Sequence, residues 1–124
     1  DPTLQVSTQV PIVREELKAD LYGAAAAPGT IEGVARVIMG ADQLPELKEG
    51  EILVAPGTSA AWTVAFNLIS GLITDGGGSL SHPVIMAREF GIPCVAGCLE
   101  GTQKIKTGQR VKIDGNLGVV YIKD

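Results

Sequence analysis

The chain has 124 residues, of which 45% are hydrophobic and 19% are charged, and its formal net charge is −4. This size and composition fit one domain with a hydrophobic core, and the scattered lysines and arginines argue against a nucleic-acid-binding face. Because no apolar run is long enough to span a bilayer, we expect a cytoplasmic protein that binds neither membrane nor nucleic acid.

The first segment, residues 1–29, begins without methionine and ends in the run GAAAAPG, in which Pro28 and Gly29 break any helix. We expect residues 1–29 to form an N-terminal arm or linker, either a loose coil or a hinged short helix, and residues 30–124 to form the domain. The missing initiator methionine favours a domain cut from a longer polypeptide.

From Thr30 onward, the pattern predicts strands mixed with short helices. Strands are predicted at IEGVARVI, EILVA and LIT, and short helical turns are predicted in the polar segment GADQLPELKEG. The segment PGTSAAWTVAFNLISG predicts a helix that is capped by Thr58 or Ser59 and ends near Gly71.

The second half of the chain predicts a helix, a strand and a hairpin. Pro83 suits the first turn of a helix, and Gly91 is a natural stop for it. A strand is predicted at IPCVAG, and two strands are predicted around the Asp-Gly-Asn turn of RVKIDGNLGVVYI.

Cys94 and Cys98 are the only two cysteines. With a single histidine well upstream, they provide too few ligands for a zinc site, and we predict no metal site. A disulfide is the alternative to two small core residues, and the strand-like surroundings of Cys94 favour the core interpretation.

The only histidine, His82, stands between a triple glycine and the predicted helix. A helix N-terminus presents unpaired N–H groups that stabilise an anion and disfavour imidazolium, and glycines let the backbone approach that anion closely. A neutral imidazole at this place can attack phosphorus as a nucleophile. The residues that could stabilise the phosphoryl group are Gly76, Gly77, Gly78 and the hydroxyl-bearing Thr74, Ser79 and Ser81.

Local chemistry leaves a second interpretation open, in which His82 merely caps the helix and the glycines make a tight turn. The glycines lack the spacing of a P-loop or a dinucleotide-binding loop, and no G-x-S-x-G elbow supports a hydrolase. The sequence leaves open which ring nitrogen would carry a phosphoryl group.

The stretch TDGGGSLSHPVIMAREFGIPCVAG, residues 74–97, resembles the phosphohistidine segment of the phosphoenolpyruvate-utilising enzymes. This family includes pyruvate phosphate dikinase, phosphoenolpyruvate synthase, enzyme I of the sugar phosphotransferase system, rifampicin phosphotransferase and phenylphosphate synthase. The segments GTIEGVARVI, ILVAPGTSAAWTVAF and TGQRVKIDGNLGVVYI resemble the family's opening strand, strand-turn-helix and closing hairpin. The Ala-Trp-Thr around Trp62 is closer to the synthase and rifampicin or phenylphosphate branch than to enzyme I.

The resemblance implies an α/β fold of the swivelling β/β/α type, with mixed sheets and short helices, and it makes His82 the phosphorylated nucleophile. It implies a phosphoryl carrier, inactive alone, that serves an ATP-grasp nucleotide-binding domain and a domain for phosphoenolpyruvate, pyruvate or another acceptor. Those partners, in the same chain or in separate subunits, would hold Mg²⁺ and ATP or phosphoenolpyruvate. The alternative is a non-catalytic docking or regulatory module, against which the retained imidazole argues.

Three further residues bear on this interpretation. Leu80 stands where many members have a threonine whose hydroxyl orients the histidine ring, so Ser79 or Ser81 would have to replace that hydroxyl. Pro83 replaces a small residue and removes one N–H donor to phosphate. Arg88, in the family's Ala-Arg pair, is a candidate either for pairing with a phosphoryl oxygen or for a structural ion pair.

Overall fold

The computed structural model describes residues 18–77 and 81–123, which form eight strands and four short helices. The strands are β1 (Leu21–Tyr22), β2 (Ala24–Ala27), β3 (Thr30–Val37), β4 (Ile52–Ala55), β5 (Gly71–Thr74), β6 (Cys94–Ala96), β7 (Arg110–Asp114) and β8 (Val119–Ile122). The helices are the 3₁₀ helices η1 (Ala41–Glu46) and η2 (Ala60–Asn67) and the α-helices α1 (His82–Phe90) and α2 (Gly101–Lys104). None of the helices in this described part is long and apolar enough to cross a membrane.

The strands form one sheet in the order β1-β8-β7-β3-β4-β5-β6-β2. Strands β3 to β6 are parallel, and the remaining pairs are antiparallel. Because only Gly23 separates β1 from β2, which lie at opposite ends of this order, the sheet curls towards a closed barrel. The predicted α/β fold with a mixed sheet and short helices is confirmed.

Two clusters of buried side chains pack on the two faces of the parallel strands. Leu53 and Leu72 belong to the cluster that η2 and α1 cover, whereas Ile73 and Val95 point into the interior of the curled sheet. Strands β4, β5 and β6 are therefore buried on both faces, as their continuous apolar sequences require. They form a rigid support for the loops at their carboxyl ends.

Most of the predicted elements are confirmed. Gly91 adopts the left-handed conformation, with φ 69°, and ends α1. The Asp114 side chain accepts hydrogen bonds from the N–H groups of Asn116 and Leu117 in the predicted hairpin turn. The helix predicted after β4 is a 3₁₀ helix with Ser59 at its N-cap and no side-chain cap hydrogen bond; it ends at Asn67 and not near Gly71, which begins β5.

The alanine run differs from the expected arm. Residues 24–27 pair with β6 as strand β2, with a bulge between Ala25 and Ala27, and Ala26 is only 3% exposed. Alanine favours a helix in isolation, but strand pairing and burial outweigh that preference here. Part of the segment that we expected to be linker or short helix therefore belongs to the sheet, while residues 1–17 lie outside the described residues.

The strands at the two ends of the described chain lie side by side. The Asp20 N–H donates to the Val120 carbonyl at 2.9 Å. The Ile122 N–H donates to the Asp20 carboxylate at 2.6 Å. The chain therefore enters and leaves the sheet through neighbouring strands.

The turn between β7 and β8 packs tightly against the connection between β2 and β3. The Gly115 N–H donates to the Gly29 carbonyl at 2.7 Å. A β-carbon on Gly115 would lie 2.0 Å from the Ala27 carbonyl oxygen, so a side chain cannot fit without moving backbone.

Both cysteines are free thiols in the core, as the core interpretation expected. Cys94 belongs to the cluster under the helices, and Cys98 belongs to the cluster inside the curled sheet. Burial raises the pKa of each thiol to about 12. The thiols therefore stay protonated in the folded protein over the physiological pH range.

We expect the free energy of unfolding to fall as the pH rises from about 8 to about 10. Thiols of the unfolded chain ionise near a pKa of about 8.5, whereas the folded chain keeps them neutral, so the loss is on the order of 1 kcal/mol for each thiol. Urea unfolding of the wild type and of the double variant Cys94→Ala/Cys98→Ala at both pH values measures the effect. An equal pH dependence in the two proteins would contradict it.

Candidate functional site

The candidate site lies at the carboxyl edge of the parallel strands. A loop follows each of β4, β5 and β6 at this edge, where open α/β sheets commonly hold their sites. The Gly76 N–H donates to the Pro56 carbonyl at 3.0 Å, and the Gly97 N–H donates to the Gly76 carbonyl at 3.3 Å. Backbone hydrogen bonds thus join the three loops.

His82 is the first residue of α1 and is half-buried at this edge. Its Nδ1 atom lies 2.7 Å from the hydroxyl oxygen of Thr58, in the loop after β4. The ring of Phe66, on η2, packs edge-on against the imidazole, with the ring centroids 6.1 Å apart and the planes at 77°. The imidazole is therefore oriented from two sides by one segment of the chain.

Sequence analysis considered Thr58 only as a helix cap and missed this contact. Thr58 and His82 are 24 residues apart, and each follows the carboxyl end of one of two adjacent parallel strands. The signal that could have found the pair is this topology: loops that follow consecutive parallel strands meet at one edge.

The turn before α1 depends on a close backbone approach. Gly77 has φ +102°, and a β-carbon on it would lie 2.8 Å from the hydroxyl oxygen of Ser81. Ser81 holds the N-cap position of α1, and its carbonyl accepts the Ile85 N–H at 3.1 Å. Only a glycine allows this turn without strain at that place.

The structure brings together Thr74, Gly76, Gly77, Ser81 and His82 of the predicted site. Thr74 is fully buried, and its hydroxyl donates to the Gly76 carbonyl at 2.8 Å, so this contact shapes the loop. The predicted Gly78 and Ser79, and also Leu80, lie outside the described residues. The roles of all these residues at a phosphoryl group stay predictions.

Asp75 fixes the loop after β5 against α2. Its carboxylate accepts the Thr102 N–H at 2.9 Å and the Thr102 hydroxyl at 2.5 Å. The Asp75 carbonyl also accepts the Leu99 N–H at 2.9 Å. Asp75 therefore holds the loop after β5 against α2 and the loop after β6.

Arg88 lies in the last turn of α1, and its Nε atom donates to the Ala26 carbonyl at 2.7 Å. That carbonyl belongs to the bulge of β2, so the guanidinium fastens α1 to the edge of the sheet. A role for Arg88 at a phosphoryl oxygen stays a prediction. Among the described residues, no three His, Cys, Asp or Glu side chains come together to hold a metal ion.

Three features together characterise this domain: the curled sheet, the glycine turn and the histidine at the start of α1. Residues 47–118 match the family described as PEP-utilising enzyme, mobile domain. The chain therefore belongs to this family of mobile domains of phosphoenolpyruvate-utilising enzymes.

Two relatives illustrate the family. The phosphoenolpyruvate synthase of Pyrococcus furiosus is 43% identical over 107 residues, which are 86% of this chain and 13% of that protein. The rifampicin phosphotransferase of Bacillus cereus is 39% identical over 110 residues, which are 88% of this chain and 13% of that protein. The chain thus spans about an eighth of these multidomain relatives.

Two solved structures share the fold. The solution structure of Enzyme I (nEIt) superposes with a TM-score of 0.56 and 34% identity, over 64% of this chain and 33% of that one. The holo-form of aconitase X from Thermococcus kodakaraensis superposes with a TM-score of 0.63 over 84% of this chain and 98% of that one. At 22% identity, the second likeness concerns the fold alone.

Proposed function

We propose that this chain is a phosphoryl carrier in which Nε2 of His82 accepts a phosphoryl group at one partner domain and delivers it at another. The observation that carries the proposal is the 2.7 Å contact between Nδ1 of His82 and the Thr58 hydroxyl, at the start of α1. This contact occupies one ring nitrogen and fixes the ring, so the other nitrogen is the one that reacts.

The tautomer follows from the chemistry of the nucleophile. A neutral imidazole carries a proton on one nitrogen and a lone pair on the other. When Nδ1–H donates to the Thr58 oxygen, the lone pair is on Nε2. Attack of this lone pair on phosphorus forms an N–P bond and breaks the bond from phosphorus to the leaving oxygen of the donor, which departs with the bonding electrons.

The phosphoryl group would lie near the N-terminus of α1. The N–H groups of the first turn and the positive end of the helix dipole favour a dianion there, although Pro83 contributes no N–H. Ser81, at the N-cap, and the turn at Gly77 bring further polar groups to this end of the helix. The other members of the set predicted from the sequence are Thr74, Gly76, Gly78 and Ser79.

The partners are proposed from the family. The donor site would belong to an ATP-grasp nucleotide-binding domain and the acceptor site to a domain for phosphoenolpyruvate, pyruvate or another acceptor. Those domains, and not this one, would hold Mg²⁺ and ATP or phosphoenolpyruvate. The carrier alone would have no turnover, because it holds neither the donor nor the acceptor.

A non-catalytic docking or regulatory module with the same fold is the second candidate. Such a module does not require an imidazole that is oriented by a hydroxyl and an aromatic ring, whereas a phosphoryl carrier does. The Thr58 and Phe66 contacts therefore favour the carrier.

The test is chemical phosphorylation of the full chain with potassium phosphoramidate, a small donor that needs no partner. We expect the intact mass to rise by one phosphoryl group located on His82. Since an N–P bond is labile when protonated, the group should be lost in acid and survive in alkali. An unmodified His82, or an acid-stable group on serine or threonine, would overturn the proposal.

We expect Thr58→Val to slow phosphorylation of His82 about 10- to 100-fold, the range found when a hydrogen-bond partner that orients a metal-binding histidine is removed. Thr58→Ser keeps the hydroxyl and should stay close to the wild type. Ser59→Ala is the matched control, because the neighbouring Ser59 makes no side-chain cap hydrogen bond. NMR of ¹⁵N-labelled His82 reports the tautomer directly, and an unchanged tautomer and rate in Thr58→Val would contradict the role of Thr58.

A further inference from the structure

The backbone of Asp75 joins the three loops at the edge of the sheet where His82 lies. Asp75 follows β5 directly and stands immediately before the glycine turn that leads to His82. Its N–H donates to the Ala55 carbonyl at 3.0 Å, at the end of β4, and its carbonyl accepts the Leu99 N–H at 2.9 Å, in the loop after β6. This one residue therefore fixes the spacing between the loop that follows β5 and its two neighbours.

The Asp75 side chain ties the same loop to α2. Its Oδ1 atom accepts the Thr102 N–H at 2.9 Å, and its Oδ2 atom accepts the Thr102 hydroxyl at 2.5 Å. The start of α2 leaves room for the carboxylate, because Gly101 is buried and a β-carbon on it would lie 3.0 Å from Oδ1. Since both carboxylate oxygens have their partners on one residue, the side chain is held in a single orientation.

The contact between Thr58 and His82 joins two of the loops that Asp75 links. Thr58 lies three residues after Ala55, which accepts the Asp75 N–H, and His82 lies seven residues after Asp75. A displacement of Asp75 therefore changes the spacing between the Thr58 hydroxyl and Nδ1 of His82, which is 2.7 Å. Such spacing matters for reactivity, because a misplacement of about 1 Å can slow a reaction on the order of 100-fold.

We propose that Asp75 is a positioning residue for the phosphorylation of His82 and acts through the contact between Thr58 and His82. This inference rests on the proposed function of His82 and adds a residue to the machinery of the same site. A carboxylate and a phosphoryl dianion both accept hydrogen bonds and donate none, so Asp75 has nothing to offer the phosphoryl group itself. Its role is to hold the loops at the spacing that orients the imidazole.

The test measures the rate at which potassium phosphoramidate phosphorylates His82 in the full chain. Urea unfolding and the tautomer of ¹⁵N-labelled His82 are measured on the same variants. Asp75→Ala removes both side-chain hydrogen bonds to Thr102. Asp75→Asn keeps them in changed form, because the amide oxygen can accept from the Thr102 N–H and the amide nitrogen can donate to the Thr102 hydroxyl.

The matched control is Asp114→Ala. The Asp114 carboxylate also accepts two hydrogen bonds, from the N–H groups of Asn116 and Leu117 in the hairpin turn. Asp114 pairs with Thr30, the first residue of β3, at the end of the parallel strands opposite to the candidate site. The control therefore removes a comparable set of contacts without disturbing the loops around His82.

We expect Asp75→Ala to be phosphorylated about tenfold more slowly than the wild type and to lose part of the tautomer with the proton on Nδ1. Asp75→Asn should stay within about threefold of the wild-type rate. Asp114→Ala should lose stability but keep the wild-type rate and tautomer, which separates positioning of His82 from a general loss of stability.

A folded Asp75→Ala variant with the rate and tautomer of Asp114→Ala would overturn the positioning role. If Asp75→Ala does not fold, Thr102→Val takes its place, because it removes the hydroxyl contact and leaves the backbone one. An unchanged rate and tautomer in Thr102→Val would then overturn the role. If phosphoramidate does not label His82 in the wild type, the proposed function itself fails.

Discussion

Replacing His82 by alanine is expected to abolish phosphoryl uptake while the domain stays folded. The variant removes the nucleophile, and no other described side chain at this edge carries a nitrogen lone pair in its place. His82 is only half-buried, so the loss of its contacts with Thr58 and Phe66 should cost about 1 kcal/mol of stability. Intact mass after treatment with phosphoramidate and circular dichroism on the same sample measure the two effects.

The outcome that contradicts this prediction is full uptake of an acid-labile group by the alanine variant. A variant that takes up nothing but is also unfolded would not count as support. In that case His82→Gln, which keeps a polar side chain of similar volume, separates loss of the nucleophile from loss of the fold.

Replacing Gly115 by alanine is expected to be the most destabilising of the single changes described for this domain. The new β-carbon would lie 2.0 Å from the Ala27 carbonyl oxygen, which is backbone and cannot rotate away. The turn between β7 and β8 would have to move off β2 and break the hydrogen bond from Gly115 to Gly29. We expect a loss of about 3 kcal/mol or more in the free energy of unfolding.

Urea unfolding measures this loss, and Gly57→Ala is the control. Gly57 has no neighbouring atom within 4 Å of the position of a β-carbon, so its replacement should change stability by about 0.5 kcal/mol or less. Equal stability of Gly115→Ala and Gly57→Ala would mean that the hairpin turn relaxes without cost, contrary to the packing described.

The parts of the fold that depend on local pattern were predictable from the sequence. The apolar runs of β4 and β5, the Pro83 and Gly91 boundaries of α1, and the Asp-Gly-Asn turn are all signals within a few residues. The strand at the alanine run was not predictable in this way, because it forms by pairing with β6, about 70 residues later. Local propensity favours a helix there, and contacts distant in sequence outweigh it.

The candidate site was likewise only partly predictable from the sequence. His82 and the glycine turn were identified from one short stretch, since a histidine between glycines and a helix start is a local pattern. The contact between Thr58 and His82 was not identified, because Thr58 follows a different strand and its residue type alone suggests a helix cap. Arg88 was likewise considered for a phosphoryl oxygen or an ion pair, whereas its described contact is with a backbone carbonyl of β2.

The neighbouring positions of β1 and β8 bear on how such a domain can be carried by other proteins. Since Asp20 is hydrogen-bonded to both Val120 and Ile122, both connections emerge from one small area of the surface. A unit with adjacent ends can be inserted into an exposed loop of a host domain without separating the residues on either side of the insertion point. Because the two connections of such a unit lie side by side, rotation of the unit about the line through them stretches neither connection.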